Sequence, residues 1–183
     1  TSFQYNILTG EAVRGVIDQF IITSDNRAYS EFWNLSYNGI NRTNKLLVEI
    51  ERPEVEWSDL AFKSRSSGEA YFLRALYYFN LVRQFGGVPL AQEALQIGRV
   101  SEEEVYASII SDLNSAIELF SLATELEENG RANLYSSHGL LGKVYLTIKD
   151  YNNAEKSLKK VIDSNQYSLL SDYADLYDPS NKD

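Results

Sequence analysis

The chain offers little to nucleophilic or metal chemistry: it has 183 residues, one histidine (His138) and no cysteine. A zinc site of the usual nitrogen and sulfur type needs several such ligands, and one histidine cannot supply them. A serine nucleophile would need His138 beside an exposed elbow, yet no Gly-x-Ser-x-Gly occurs. His138 stands three residues before Leu141 and seven before Tyr145, on the packed face of its helix, so it reads as a packing residue. Asp172 and Asp175 could serve as paired carboxylates in glycosidic chemistry, but spacing in sequence does not fix the carboxyl separation that this chemistry demands. The runs Glu102 to Glu104 and Glu125 to Glu128 read as solvated charges at helix ends. No calcium-loop or phosphate-cradling glycine pattern appears. The chain therefore reads as a binding protein with no catalytic residue, metal or cofactor.

Aromatic residues are the binding chemistry it does have, with thirteen tyrosines and two tryptophans. The apolar faces of sugar rings lie flat on phenol and indole rings, while hydroxyls seek Asn, Asp and Arg. Most of these aromatics, Tyr71, Tyr77, Tyr78, Tyr145 and Tyr151 among them, fall at helix-pair positions and read as core. Trp33 and Trp57 read as packing residues. Tyr29 differs, lying in the short polar break "TSDNRAY" between two helical stretches.

The elements that would position these residues are helical almost throughout. "TGEAVRGVIDQFII" is a short helix candidate. From Ser30 the stretch "SEFWNLSYNGINRTNKLLVEI" places Phe32, Leu35, Ile40, Leu46, Leu47 and Ile50 at helical spacing, closed by Pro53. Trp57 to Phe85 fits one long helix or two, since Ser64 to Gly68 holds three serines and a glycine. Gly86, Gly87 and Pro89 end it. Ser101 and Glu104 form a capping box ahead of a helix that carries Val105, Ile109, Leu113, Ala116, Ile117 and Phe120 on one face. The last two helices meet at Lys149 and Asp150, with Asp150 as N-cap.

Within this frame the segment Glu69 to Phe85 is apolar on most of its circumference. Glu69, Asn80, Arg83 and Gln84 mark one narrow wet stripe at ~100° per residue. Arg74 lies off that stripe and must find a carboxylate or carbonyls, because an unpaired buried charge costs several kcal/mol. Farther on, Leu141, Gly142, Tyr145, Ala154 and Leu158 fall at the offsets of the tetratricopeptide signature. There a small residue admits the partner helix, an aromatic fills the gap and an alanine receives it. Arg74, Gly142, Tyr145 and Ala154 are thus structural residues in an all-α array of helix pairs.

A net charge of −9 with no basic run longer than Lys159-Lys160 argues against a nucleic-acid partner. No stretch approaches the ~20 apolar residues of a membrane span. The opening Thr-Ser-Phe, without methionine or signal peptide, reads as a processed or excised start.

The segments "GEAYFLRALYYFNLVRQFGGVPL", "WNLSYNGINRTNKLL", "SEEEVYASIISDLNSAIELF", "GRANLYSSHGLLGKVYL", "DYNNAEKSLKKVIDS" and "YSLLSDYADLYD" together resemble the SusD/RagB family of surface lipoproteins. The resemblance implies a right-handed superhelix of tetratricopeptide-like pairs and non-catalytic glycan binding. It also implies a SusC-like TonB-dependent transporter as partner, and a place on the outer membrane through a lipid-bearing cysteine absent from this sequence. On this reading residues 1–183 are one helical domain, the N-terminal part of a longer protein. In the family the connection after this Thr-x-Asp region carries ligand-facing groups, which makes Asn26, Arg27 and Tyr29 the candidate ligand residues. Peptide capture by the same architecture, and a generic tetratricopeptide scaffold, are the alternatives.

Overall fold

A computed structural model of the chain describes residues 26–91, 98–123, 130–170 and 172–177. Among these residues the structure is helical: α1 (Arg27–Ile50), α2 (Leu60–Phe85), α3 (Glu102–Leu122), α4 (Leu134–Thr147), α5 (Tyr151–Asp163) and a 3₁₀ turn at Tyr173–Tyr177. The candidate helix before α1, Thr23 to Asp25, and the acidic run Glu125 to Glu128 lie outside the described residues.

Local chemistry sets the helix ends. Ser101 Oγ accepts from the Glu104 amide at 3.2 Å while the Glu104 carboxylate accepts from the Ser101 amide at 2.9 Å, completing the expected capping box. Asp150 caps α5 as expected, its carboxylate accepting from the Asn153 amide at 3.2 Å. Asn133 and Ser136 form a second reciprocal cap on α4. Trp57 to Phe85 is not helical throughout: a single helix begins at Leu60, capped by Asp59, and Trp57 stands before it with its indole N–H donated to the Ile50 carbonyl. Gly86 closes α2 at φ 68°, a left-handed conformation that glycine adopts without steric cost.

Each helix packs on the next, and the largest interface is between α2 and α3. α2 is the centre of the molecule, covered by α1 and α3 and touched by α4. The core comprises Ile40, Ala75, Tyr78, Phe79, Leu81, Val82, Val88, Val105, Ile109, Leu113, Leu141 and Val144. Arg83 and Gln84 on the predicted stripe are exposed, and so is Leu73 at the same angle.

Two expectations about faces are corrected. On α1 the buried residues are Ser36, Ile40, Thr43 and Ile50, whereas Phe32, Leu35 and Leu46 are exposed. α2 decides this: the Tyr77 ring lies where a Cβ on Gly39 would be, 2.4 Å from it, so the glycine lets the two helices close on that side. Tyr151, expected in the core, is exposed at the first position of α5. Of the other helix-pair tyrosines, Tyr78 is fully buried and Tyr71, Tyr77 and Tyr145 are half-buried.

The α4–α5 pair follows the tetratricopeptide offsets. Ala154 is buried, and a Cβ on Gly142 would stand 2.6 Å from two atoms of the Leu158 side chain. Gly142→Leu is therefore expected to destabilise the fold by about 2 kcal/mol or more through overpacking. Denaturant unfolding checks this; a change within about 0.5 kcal/mol would mean that the two helices are not in close approach there.

Candidate functional site

Where the start of α1 meets the end of α2, rings gather around Phe85. Tyr29 meets Phe85 edge-on at 6.2 Å between centroids, Phe32 lies tilted at 6.3 Å, and Trp33 stands edge-on at 5.0 Å. Trp33 also packs on Tyr37 at 4.9 Å. Trp33 is thus a packing residue, as is Trp57, while Phe32 is 37% exposed and Tyr29 half-buried. This aromatic ledge rests on a helix edge.

One cation, Arg99, borders it, and α1 carries an exposed ion pair in its first turns. Arg27 Nε donates to Glu31 at 2.6 Å across one turn of α1. Arg99 lies over the Trp33 ring at 5.8 Å and donates to the carbonyls of Phe85 and Gly87, each at 3.3 Å. It thereby occupies carbonyls that the end of α2 leaves without helical partners.

The rest of the segment after α2 is pinned. The Tyr37 hydroxyl donates to the Pro89 carbonyl at 2.7 Å, the Ala91 amide donates to the Tyr78 hydroxyl at 2.8 Å, and the Asn44 amide donates to the Ala91 carbonyl. Burial pushes the Tyr78 hydroxyl up to about 12, so it remains a protonated phenol at ordinary pH. The ledge is held from below by a fixed backbone.

The three candidate ligand residues separate in kind. Asn26 is buried and is the N-cap of α1, its side-chain oxygen accepting from the Ala28 amide at 2.9 Å. Arg27 is exposed and Tyr29 half-buried, one turn below Phe32. The helix starts at Arg27 and not at Ser30, so Tyr29 belongs to its first turn and not to a connection. Phe32, Glu31 and Arg99 were not singled out from sequence as site residues. An Asn followed by a helical run is an N-cap signal, and it would have put Phe32 on the same face as Tyr29.

Arg74 finds its carboxylate. Its Nε and Nη2 bond Asp112 at 2.8 and 2.6 Å, and Nη1 donates to the Asn44 side chain at 2.8 Å. It bridges α2, α3 and α1.

His138 is half-buried, with Nδ1 buried and lacking a hydrogen-bond partner. Burial, and then the nearby Lys160 charge, lower its pKa. The neutral ring is the form the fold accommodates, so the stability it confers is complete above the unfolded value of about 6.5 and is lost as pH falls through the lower folded value. As the one histidine, its ring resonance reports this without ambiguity: titration at or above about pH 6.5 would contradict the reading. His138→Gln is expected to flatten the stability profile as pH falls below about 6.5.

Among the described residues there is no group of three or more His, Cys, Asp or Glu that could hold a metal ion, and no helix is long and apolar enough to cross a membrane. Stacked helix pairs carrying a surface aromatic ledge define an α-helical repeat protein of the tetratricopeptide kind, and residues 135–167 match the tetratricopeptide repeat. The chain belongs to the SusD-like family, described as "starch-binding associating with outer membrane", whose model matches residues 5–146. It is 27% identical over 179 residues to a SusD-like protein of Bacteroides ovatus, covering 88% of this chain and 32% of that one. It resembles the solved structure of a laminarin-binding SusD-like protein at TM-score 0.74 and 36% identity, covering 82% of this chain and 35% of the other. A structure determined with xylogluco-oligosaccharide is 26% identical at TM-score 0.74, covering 88% and 35%. The chain spans about a third of the length of the curated relatives it matches.

Proposed function

We propose that this chain is the helical part of a glycan-capture protein held at the outer-membrane surface by a lipid anchor. It binds oligosaccharide without catalysis and passes it to a SusC-like TonB-dependent transporter. Its kinship with a laminarin-binding protein carries the reading, and the adjacent Tyr29 and Phe32 rings support it. Tyr29 and Phe32 stand three residues apart on one helix face, so their side chains are neighbours about 5–6 Å apart at Cβ, enough for one sugar ring to lie across both. The single rings present modest area, and the relatives are about three times as long. The 183 residues alone are therefore expected to bind oligosaccharides at about millimolar Kd, roughly −4 kcal/mol. A chain extended to the relatives' length is expected to bind at least about tenfold tighter.

Calorimetry with laminari- and xylogluco-oligosaccharides on the extended chain tests this. Tyr29→Ala and Phe32→Ala are each expected to weaken binding by about 1 kcal/mol while the fold survives. Full affinity in both variants would remove the ledge from the site. Binding of a peptide panel with no glycan binding would make peptides the ligand, and binding of neither would leave a tetratricopeptide scaffold for a protein partner.

A further inference from the structure

We infer that Arg99 is the positioning residue of the ledge: it fixes the Phe85 ring on which Tyr29, Phe32 and Trp33 converge, and through that ring it sets glycan affinity. The inference rests on the glycan reading above. Phe85 is the last residue of α2, so its carbonyl has no partner inside the helix. Two glycines follow, Gly86 at φ 68° and then Gly87, and glycine has the widest backbone freedom of any residue. The hub of the ledge therefore stands where the chain itself is least constrained. Arg99 spans that point from 12 and 14 residues away, its Nη1 donating to the Phe85 carbonyl on one side of Gly86 and to the Gly87 carbonyl on the other, each at 3.3 Å. The same guanidinium lies 5.8 Å from the centre of the Trp33 ring, within reach of a cation–π attraction, and Trp33 meets Phe85 edge-on at 5.0 Å. One side chain thus holds both the backbone under Phe85 and the ring behind it. Arg99 is held in turn by its neighbour, since the Val100 amide donates to the Val88 carbonyl at 3.2 Å. It does this without touching the sugar: a ring fixed before the ligand arrives spares the cost of ordering it on binding.

Chemical-shift titration of the labelled 183-residue chain with laminari-oligosaccharide tests this in wild type, Arg99→Ala, Phe85→Leu and the double variant, with Arg83→Ala as control. Arg83 is an exposed arginine over the Phe79 ring, about 200° round α2 from Phe85, so its loss repeats the change of charge alone. Arg99→Ala is expected to weaken binding at least about threefold per folded molecule, and Arg83→Ala to leave it within about twofold. Phe85→Leu removes the ring and is expected to weaken binding at least as much. Adding Arg99→Ala to Phe85→Leu is expected to cost less than about twofold more, because residues that act through one another are not additive. In the free protein the Phe85 ring protons, shifted by the neighbouring Trp33, are expected to move toward their random-coil positions in Arg99→Ala and to stay in place in Arg83→Ala. Unchanged affinity in Arg99→Ala overturns the role, and so do fully additive losses, which would make Arg99 an independent contact. No ligand-induced shift in wild type overturns the glycan reading itself; the Phe85 protons then decide alone whether Arg99 holds the ring, and unmoved protons overturn that as well. Thermal melting of each variant separates these outcomes from loss of fold.

Discussion

Arg74→Ala is expected to lower stability by about 3–5 kcal/mol, enough to unfold much of a domain of ordinary stability. The side chains of Arg74 and Asp112 are only 12% and 5% exposed, and truncating the arginine leaves the carboxylate buried with its partner gone. Burial raises the Asp112 pKa and the Arg74 hydrogen bond and charge pull against it, so removing Arg74 leaves only the unfavourable part. The loss also leaves the Asn44 side-chain oxygen without its Arg74 donor, while the Asn44 amide keeps the Ala91 carbonyl. Arg74→Leu combined with Asp112→Leu is expected to recover most of the loss, because a buried pair replaced by well-packed apolar residues is often neutral. Denaturant unfolding of the single and double variants decides this. A single variant within about 1 kcal/mol of wild type would mean that the pair is solvated. In either variant, ligand affinity per folded molecule is expected to stay unchanged, since neither residue touches the ledge.

Gly87→Ala is the second large effect, about 3 kcal/mol. A Cβ there would lie 2.1 Å from the Val100 carbonyl oxygen, a backbone atom that cannot swing aside as a side chain can. The Val100 amide donates to the Val88 carbonyl at 3.2 Å, and Val88 is fully buried, so the two strands of chain are tied at that point. Forcing them apart also unseats Arg99 from the Gly87 carbonyl and from Trp33. Unlike Arg74→Ala, Gly87→Ala is expected to weaken glycan binding per folded molecule as well, because Arg99 and Phe85 frame the ledge. Gly86→Ala tests a different cost, the positive φ of 68°, expected at about 1–2 kcal/mol. A change at Gly87 no larger than at Gly86 would contradict the close approach.

Much of the fold was legible because the deciding chemistry is local. The Ser101–Glu104 box, the Gly86 stop, the Asp150 cap and the close approach of Gly142 to Leu158 each depend on residues within a turn or a helix hairpin. The requirement that Arg74 be paired was legible too, since it follows from its angle on an apolar helix. Its partner was not, because Asp112 lies 38 residues away and a sequence does not say which helix covers which. The same reason hid the buried face of α1. Phe32, Leu35 and Leu46 compete with Ile40, Thr43 and Ile50, and the choice falls to Tyr77 closing on Gly39 and Tyr37 reaching the Pro89 carbonyl. The site was half-legible for a related reason. Reading α1 from Ser30 put Tyr29 in a connection and passed over Phe32 as core; the helix starts three residues earlier, which gives Asn26 to the cap and brings Phe32 to the surface.

The central claim is that glycan meets this chain at the ledge, and weak binding of that kind is read most directly by amide chemical-shift mapping. With laminari-oligosaccharide added to the labelled 183-residue chain, perturbations are expected at residues 27–33, 85–87 and 99, saturating at about millimolar ligand. Shifts confined to α4 and α5, or none at all at tens of millimolar ligand, would contradict the account.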